Sequence, residues 1–179
     1  MSTIGVALAI PEPWASELQD YRKAVGDHTA AMIPTHITLV PPTEIDPGQA
    51  AEVERHLEDV AAGADPFRVH LRGTGTFRPV SPVVFVTLVE GISRCEQLAK
   101  ALRRGPLDAE LQYPYHPHVT IAHHLGDDLL DQAFEELAGF ECQFEAERFH
   151  LYVHDDRTGW RPTRDFPLQA GNQTPPRGV

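Results

Sequence analysis

"PTHITLV", residues 34–40, and "PHVTIAH", residues 117–123, write one pattern twice: a proline just upstream of a histidine, then an apolar residue, a threonine and another apolar residue. In an extended chain, successive side chains point to opposite faces. His36 and Thr38 therefore share one face while Ile37 and Leu39 anchor the other, and His118 and Thr120 do the same over Val119 and Ile121. One His-x-Ser/Thr match is about what chance supplies among ten histidines in this chain; two copies with apolar residues on both sides of the threonine exceed it.

The surroundings of the two copies are also alike. His36 is followed by a helical stretch opening at Asp46-Pro47 and then by the alternating run "FRVHL", which begins at Phe67. His118 is followed by the helical stretch "DLLDQAFEELAG", capped by Asp127 or Asp128, and then by "FHLYV", which begins at Phe149. Both intervals are 31 residues (67 − 36 and 149 − 118). Equal spacing of like elements implies a duplicated unit, hence an α+β protein of two lobes related by a pseudo-twofold axis. The remaining elements follow from local signals. "TIGVALAI" and "VVFVTLV" read as strands, "THITLV" as a short one, and "WRPTRDFPL" as a closing strand. Pro13 and Gly26 bracket one helix, and "SRCEQLAKALRRG" reads as another with Gly105 as its stop. Residues 1–170 are expected to form a single bilobal domain, and 171–179, "GNQTPPRGV", a disordered tail.

Bulk properties limit the function. The 179 residues suit one domain or two small lobes, and 41% hydrophobic with 23% charged residues is an ordinary globular composition. A net charge of −11 argues against long duplex nucleic acid as a partner, but not against a small anion or an RNA end held by local donors. No stretch reaches the roughly 20 apolar residues of a bilayer span. With no signal peptide at the N-terminus, and with Cys95 and Cys142 isolated as buried thiols, a cytoplasmic, monomeric protein is expected.

A His and a Thr on one strand face suit phosphoryl chemistry. An imidazole titrates near neutrality and moves a proton, and a hydroxyl donates to a non-bridging phosphate oxygen. One such strand supplies one proton-transfer group. Two of them facing each other supply an acid and a base on opposite sides of one phosphorus.

"HITL" (36–39) and "HVTI" (118–121), with "GTGTF" before an apolar strand and "YHPHVTIAH" (115–123), resemble the paired HxTx motifs of the 2H phosphoesterases, most closely the bacterial 2′-5′ RNA ligase and cyclic phosphodiesterase branch. The likeness spans most of residues 1–168. It implies two antiparallel sheets with flanking helices and a central cleft, and an enzyme needing no metal or other cofactor. It further implies that His36 is the proton donor, His118 the acceptor, and Thr38 and Thr120 the phosphate holders. The substrates it implies are nucleotides or RNA ends with a 2′,3′-cyclic phosphate, with 2′-5′ RNA ligation as the reverse reaction.

Weaker candidates surround the motifs. Arg68, His70 and Arg72 share a strand face and could line the cleft; Phe77, after a glycine-rich turn, could stack on a base, with Arg78 beside it; Tyr113 and Tyr115 could stack or pack. Trp14 and Trp160 read as structural, and His28, His56, His150 and His154 as histidines without a catalytic role. Two other readings compete. One is a non-catalytic module binding nucleotides or RNA ends. The other is a metallohydrolase built on His116, His118 and His124, with His123 opposite, although no carboxylate stands at ligand spacing nearby.

Overall fold

The structure, a computed structural model, describes residues 1–169; the expected tail at 171–179 lies outside the described residues. Eight strands and four helices alternate among the described residues as β1 (Ser2–Ala9), α1 (Trp14–Val25), β2 (His36–Ile45), α2 (Ala50–Ala62), β3 (Phe67–Thr76), β4 (Val83–Glu90), α3 (Ile92–Leu102), β5 (His118–His123), α4 (Asp127–Glu136), β6 (Glu141–Ala146), β7 (Arg148–Asp155) and β8 (Gly159–Pro167). They form two antiparallel four-stranded sheets, ordered β2-β1-β7-β8 and β5-β4-β3-β6. The orders correspond, with each motif strand at an edge and beside the strand that precedes it. Each motif's helix is followed by a crossover: β3 directly after α2 joins the other sheet, and β7 returns to the sheet of β2 only after β6 has paired in that of β5. Phe67 opens β3, and Phe149 lies one residue into β7, so the 31-residue spacing marks equivalent strands.

The core is built from the apolar faces the sequence writes. Val53, Leu57 and Ala61 recur on one side of α2, as do Cys95, Leu98, Ala99 and Leu102 on α3, and all are buried against the sheets. Ile37 and Leu39 on β2, and Val119 and Ile121 on β5, are fully buried in the same cluster. Burying a side chain of this size stabilises the fold by about 1.5–3 kcal/mol. That cost of exposure holds each histidine–threonine face outward.

Several elements differ from the sequence expectation. The first motif strand runs on to Ile45, past Pro41 and Pro42, because β2 is an edge strand whose outer side needs no ladder donors. Residues 73–76 are not a turn but the end of β3, where the register with β4 shifts between Leu71 and Thr74. The entry to α2 is a 3₁₀ turn, Pro47–Gln49, after Asp46, whose N–H donates to the Gln49 side chain at 3.0 Å. Helix α3 stops at Leu102, ahead of Gly105, and Gly126 rather than Asp127 or Asp128 caps α4, placing both carboxylates in the first turn where the helix dipole favours them.

Candidate active site

The alternation that exposes His36 and Thr38 operates in register with β1, where His36 pairs with Ala9 and Thr38 with Ala7. On the other sheet His118 pairs with Thr87 and Thr120 with Phe85. Both motifs carry the same burial sequence: a half-buried His, a buried residue, a half-buried Thr, then two buried residues. The two edge strands lie against each other. Tyr115 ties them further. Its hydroxyl donates to the Thr38 carbonyl oxygen at 2.8 Å, and burial pushes its phenol pKa up.

Each ring is oriented by the backbone two residues upstream. His36 Nδ1 lies 2.7 Å from the Pro34 carbonyl oxygen, and His118 Nδ1 lies 2.7 Å from that of His116. A carbonyl only accepts, so Nδ1 carries the proton in both rings. In the neutral form this leaves both Nε2 atoms free to accept one. The Thr38 hydroxyl is 3.1 Å from His36 Nε2 and donates to it. Burial lowers the His36 pKa from its ordinary value; the Pro34 contact opposes this and the Arg22 charge adds to it. Burial likewise pushes His118 down to about 4, against its hydrogen bond to His116 and with help from the nearby charges of His116 and His36.

Two cavities open beside His36. One, of about 110 Å³, is lined by His36 and Thr38 with Gly5, Ala7, Tyr152 and Trp160. The other, of about 440 Å³, is lined by His36 and Thr120 with Arg22, His123, His124 and His154. Residues from both motifs thus share one cavity. Gly159, at φ +78°, lets the segment before β2 approach: a Cβ there would sit 2.2 Å from the Met32 carbonyl oxygen.

The weaker candidates separate. Phe77 reaches the site, with its ring edge-on to His118 at 4.8 Å and beside Phe85 at 4.5 Å. Gly75 makes room for this packing, since a Cβ there would lie 2.7 Å from the Phe85 ring. Arg78 is drawn away to α4, 2.8 Å from Asp131 and 3.5 Å from Asp127. Arg68 donates to the Gln143 side chain, and His70 lies 2.7 Å from Glu141, so the expected positive wall is partly engaged with β6. Neither these two nor Arg72 lines the cavities at His36. Tyr115 is a tie between strands, and Tyr113 is exposed. The histidines of the metal reading split: the His116 and His118 rings are 6.2 Å apart beside Phe77 and Phe85, while His123 and His124 stack on each other at 3.6 Å. Among the described residues, no three His, Cys, Asp or Glu side chains are placed to hold a metal ion. Nor is any helix among them long and apolar enough to cross a membrane.

Sequence reading passes over Arg22, Tyr152, His154 and Trp160 as lining residues. They come from α1, β7 and β8, far from either motif, and no local pattern marks them. His123 and His124 stand out in the sequence beside the second motif, but only as candidates for the metal reading.

Comparison with known proteins agrees with this arrangement. The profile of the family described as "2'-5' RNA ligase superfamily" matches residues 10–158. A protein of Halalkalibacterium halodurans named "Putative phosphoesterase BH1439" is 30% identical over 166 residues, 92% of this chain and 96% of the relative. Among solved structures, TT0787 of Thermus thermophilus superposes with a TM-score of 0.70 at 21% identity, covering 94% of this chain and 98% of that one. Escherichia coli LigT in apo form gives a TM-score of 0.65 at 18% identity with the same coverage. LigT has also been solved with 3′-AMP, NADP+, ATP and phosphate. At these identities the two superpositions speak for the fold.

Proposed function

The chain belongs to the 2′-5′ RNA ligase superfamily, whose relatives are named as phosphoesterases, and on that premise we propose that it is a phosphodiesterase opening 2′,3′-cyclic phosphates on nucleotides or RNA ends. The observation that carries this reading is the matched pair of imidazoles, each with Nδ1 fixed by a carbonyl and Nε2 left for chemistry.

His118, held neutral by its low pKa, is the base. Its Nε2 takes a proton from water as the oxygen attacks phosphorus. His36 is the acid. Its protonated Nε2 gives a proton to the ribose 3′ oxygen as the P–O3′ bond breaks, leaving a 2′-phosphate. The bound phosphate favours the protonated His36 ring, offsetting the burial that disfavours it in the empty site. Thr38 and Thr120 donate to the non-bridging oxygens, where charge grows as the water oxygen adds. An RNA 5′-hydroxyl in place of water, losing its proton to His118 while His36 protonates the same departing 3′ oxygen, joins RNA ends through a 2′-5′ bond. The LigT complexes with 3′-AMP and with phosphate support a nucleotide substrate.

Both proton transfers use the protein's own side chains, so turnover should survive EDTA. Incubation with adenosine 2′,3′-cyclic phosphate followed by chromatography should yield the 2′-monophosphate. A binding module would retain the nucleotide unchanged. Unchanged substrate across the four cyclic nucleotides and a cyclic-phosphate-ended RNA would refute the enzyme.

A further inference from the structure

The larger cavity beside His36 is chemically unlike the rest of the surface. The chain carries 26 carboxylates against 15 Lys and Arg, yet no Asp or Glu among the described residues lines this space. Its polar lining is one guanidinium and four imidazoles, those of His36, His123, His124 and His154, together with the hydroxyls of Thr29 and Thr120, beside the apolar Met32, Ile33 and Trp160. Only His36 and Thr120 belong to the two motifs. The others are supplied by α1, the turn after it, the end of β5 with its exit, and β7.

Arg22 reaches this cavity from α1. It is a charged residue on the core side of α1, only 3% exposed, and burial of an unpaired guanidinium is costly. Asp27, just past the helix end, removes that cost. Its Oδ2 accepts from Arg22 Nε at 3.0 Å and Nη2 at 2.8 Å, and its Oδ1 accepts from the Thr29 N–H and hydroxyl. Burial works to raise the Asp27 pKa, but these Thr29 and Arg22 contacts hold it below its ordinary value, so it stays ionised. The carboxylate is thereby fully occupied. Arg22 Nη1, by contrast, has no hydrogen-bond partner among the described residues. It is also absent from the buried polar atoms left unsatisfied among them, so it meets the cavity rather than packed protein. A guanidinium braced on one edge with two free N–H bonds on the other is a phosphate donor of fixed aim.

The imidazoles complete the site. His124 sits at φ +55°, a conformation that non-glycine residues adopt at a cost, and its ring lies against His123 at 3.6 Å, tilted by 30°. His154 lies on the Trp160 side at a ring separation of 5.1 Å. The carboxylate beside it is that of Asp156, 3.7 Å from Nδ1 and itself exposed to solvent.

We propose that this cavity binds a second phosphate of the substrate, distinct from the one that reacts, through Arg22 Nη1, His123, His124 and His154. The preferred substrate class is then a nucleotide or RNA end bearing a phosphate group in addition to its 2′,3′-cyclic phosphate. This rests on the phosphodiesterase reading above. The source of the second phosphate is a terminal 5′-monoester or the 3′,5′-diester to the next nucleotide.

The test compares kcat/KM for adenosine 2′,3′-cyclic phosphate, its 5′-phosphorylated form, and a dinucleotide ending in a 2′,3′-cyclic phosphate. One of the two longer substrates is expected to exceed the first by roughly 10- to 100-fold, the worth of one or two charge-assisted hydrogen bonds. Whichever does so identifies the source. The ratio should fall toward one in H154Q and in H124N, the latter because Asn tolerates the left-handed backbone. Arg22 is left intact, since its loss strands a buried Asp27. Equal kcat/KM for all three substrates, or a preference untouched by both substitutions, overturns the proposal. If none of the three is turned over, the phosphodiesterase reading is what fails, and the anion site is decided by NMR. Inorganic phosphate should then shift the His123, His124 and His154 ring resonances in wild type and not in an H124N/H154Q double variant; unmoved wild-type resonances overturn the site.

Discussion

Strands β2 and β5 present the same two polar side chains on the same backbone, yet their neighbours differ in kind. Beside the first motif, β1 offers Ala7 and Ala9 and, further on, Gly5; the space these leave is open and bounded by Tyr152 and Trp160. Beside the second motif, β4 offers Phe85, which Gly75 lets lie flat, and Phe77 adds a ring against His118. The equivalent backbone contacts orient both rings alike, and on the proposed mechanism the unequal walls divide the labour. Burial disfavours the protonated form of both rings, but His118 is walled by aromatic rings while His36 borders two cavities and the Arg22 charge. Duplication supplies the geometry, and on the proposed mechanism the small or large residue across the ladder separates the acid from the base.

The largest test of this comparison removes either ring. His36→Ala and His118→Ala should each lower kcat by about 10²- to 10⁴-fold, the usual worth of a proton transfer, with circular dichroism and Tm near wild type. A variant keeping a tenth of the rate would show that the two strands are not functional equivalents. Next, Thr38→Val and Thr120→Val should each cost about 10- to 100-fold in kcat/KM, between an ordinary hydrogen bond and an oxyanion donor. An effect confined to one of them would sharpen the asymmetry to a single phosphate-holding side.

A smaller effect concerns pH. The base must be unprotonated and the acid protonated, so kcat/KM should be bell-shaped, with an acid limb near 4 set by His118 and an alkaline limb below 6.5 set by His36. Phe77→Ala admits water to His118 and should move the acid limb upward toward the ordinary histidine value. A limb that stays put would mean that the aromatic wall does not set the titration. The smallest expected effect is that of Tyr115→Phe, which deletes the hydroxyl bonded to the Thr38 carbonyl. It should lower stability by about 0.5–1.5 kcal/mol in urea unfolding and leave the pH profile unchanged.

Much of this is readable from the sequence because strand parity and apolar anchoring are local. Ile37, Leu39, Val119 and Ile121 fix which way their histidine neighbours face, and the 31-residue interval marks Phe67 and Phe149 as equivalent. What escapes depends on distant partners. Pro41-Pro42 reads as a strand end, and only an edge position makes it tolerable. "GTGT" reads as a turn until Phe85 is known to need the space over Gly75. Arg22 carries no local mark in the last turn of its helix, and is a buried donor only because Asp27 and Thr29 fold back onto it beyond Gly26. Trp160 and His154 are brought beside His36 by β7 and β8, which the chain reaches more than a hundred residues later.

The exchange of β3 and β7 between the sheets has a mechanical corollary. Neither sequence repeat keeps all of its own strands: β3 of the first pairs into the sheet of β4 and β5, while β7 and β8 return to that of β1 and β2. Pulling the two halves of the chain apart means tearing the β1–β7, β3–β4 and β3–β6 ladders. A chain cut in the loop between β3 and β4 should therefore stay assembled, with the halves held as an interlocked pair, and should melt in one step.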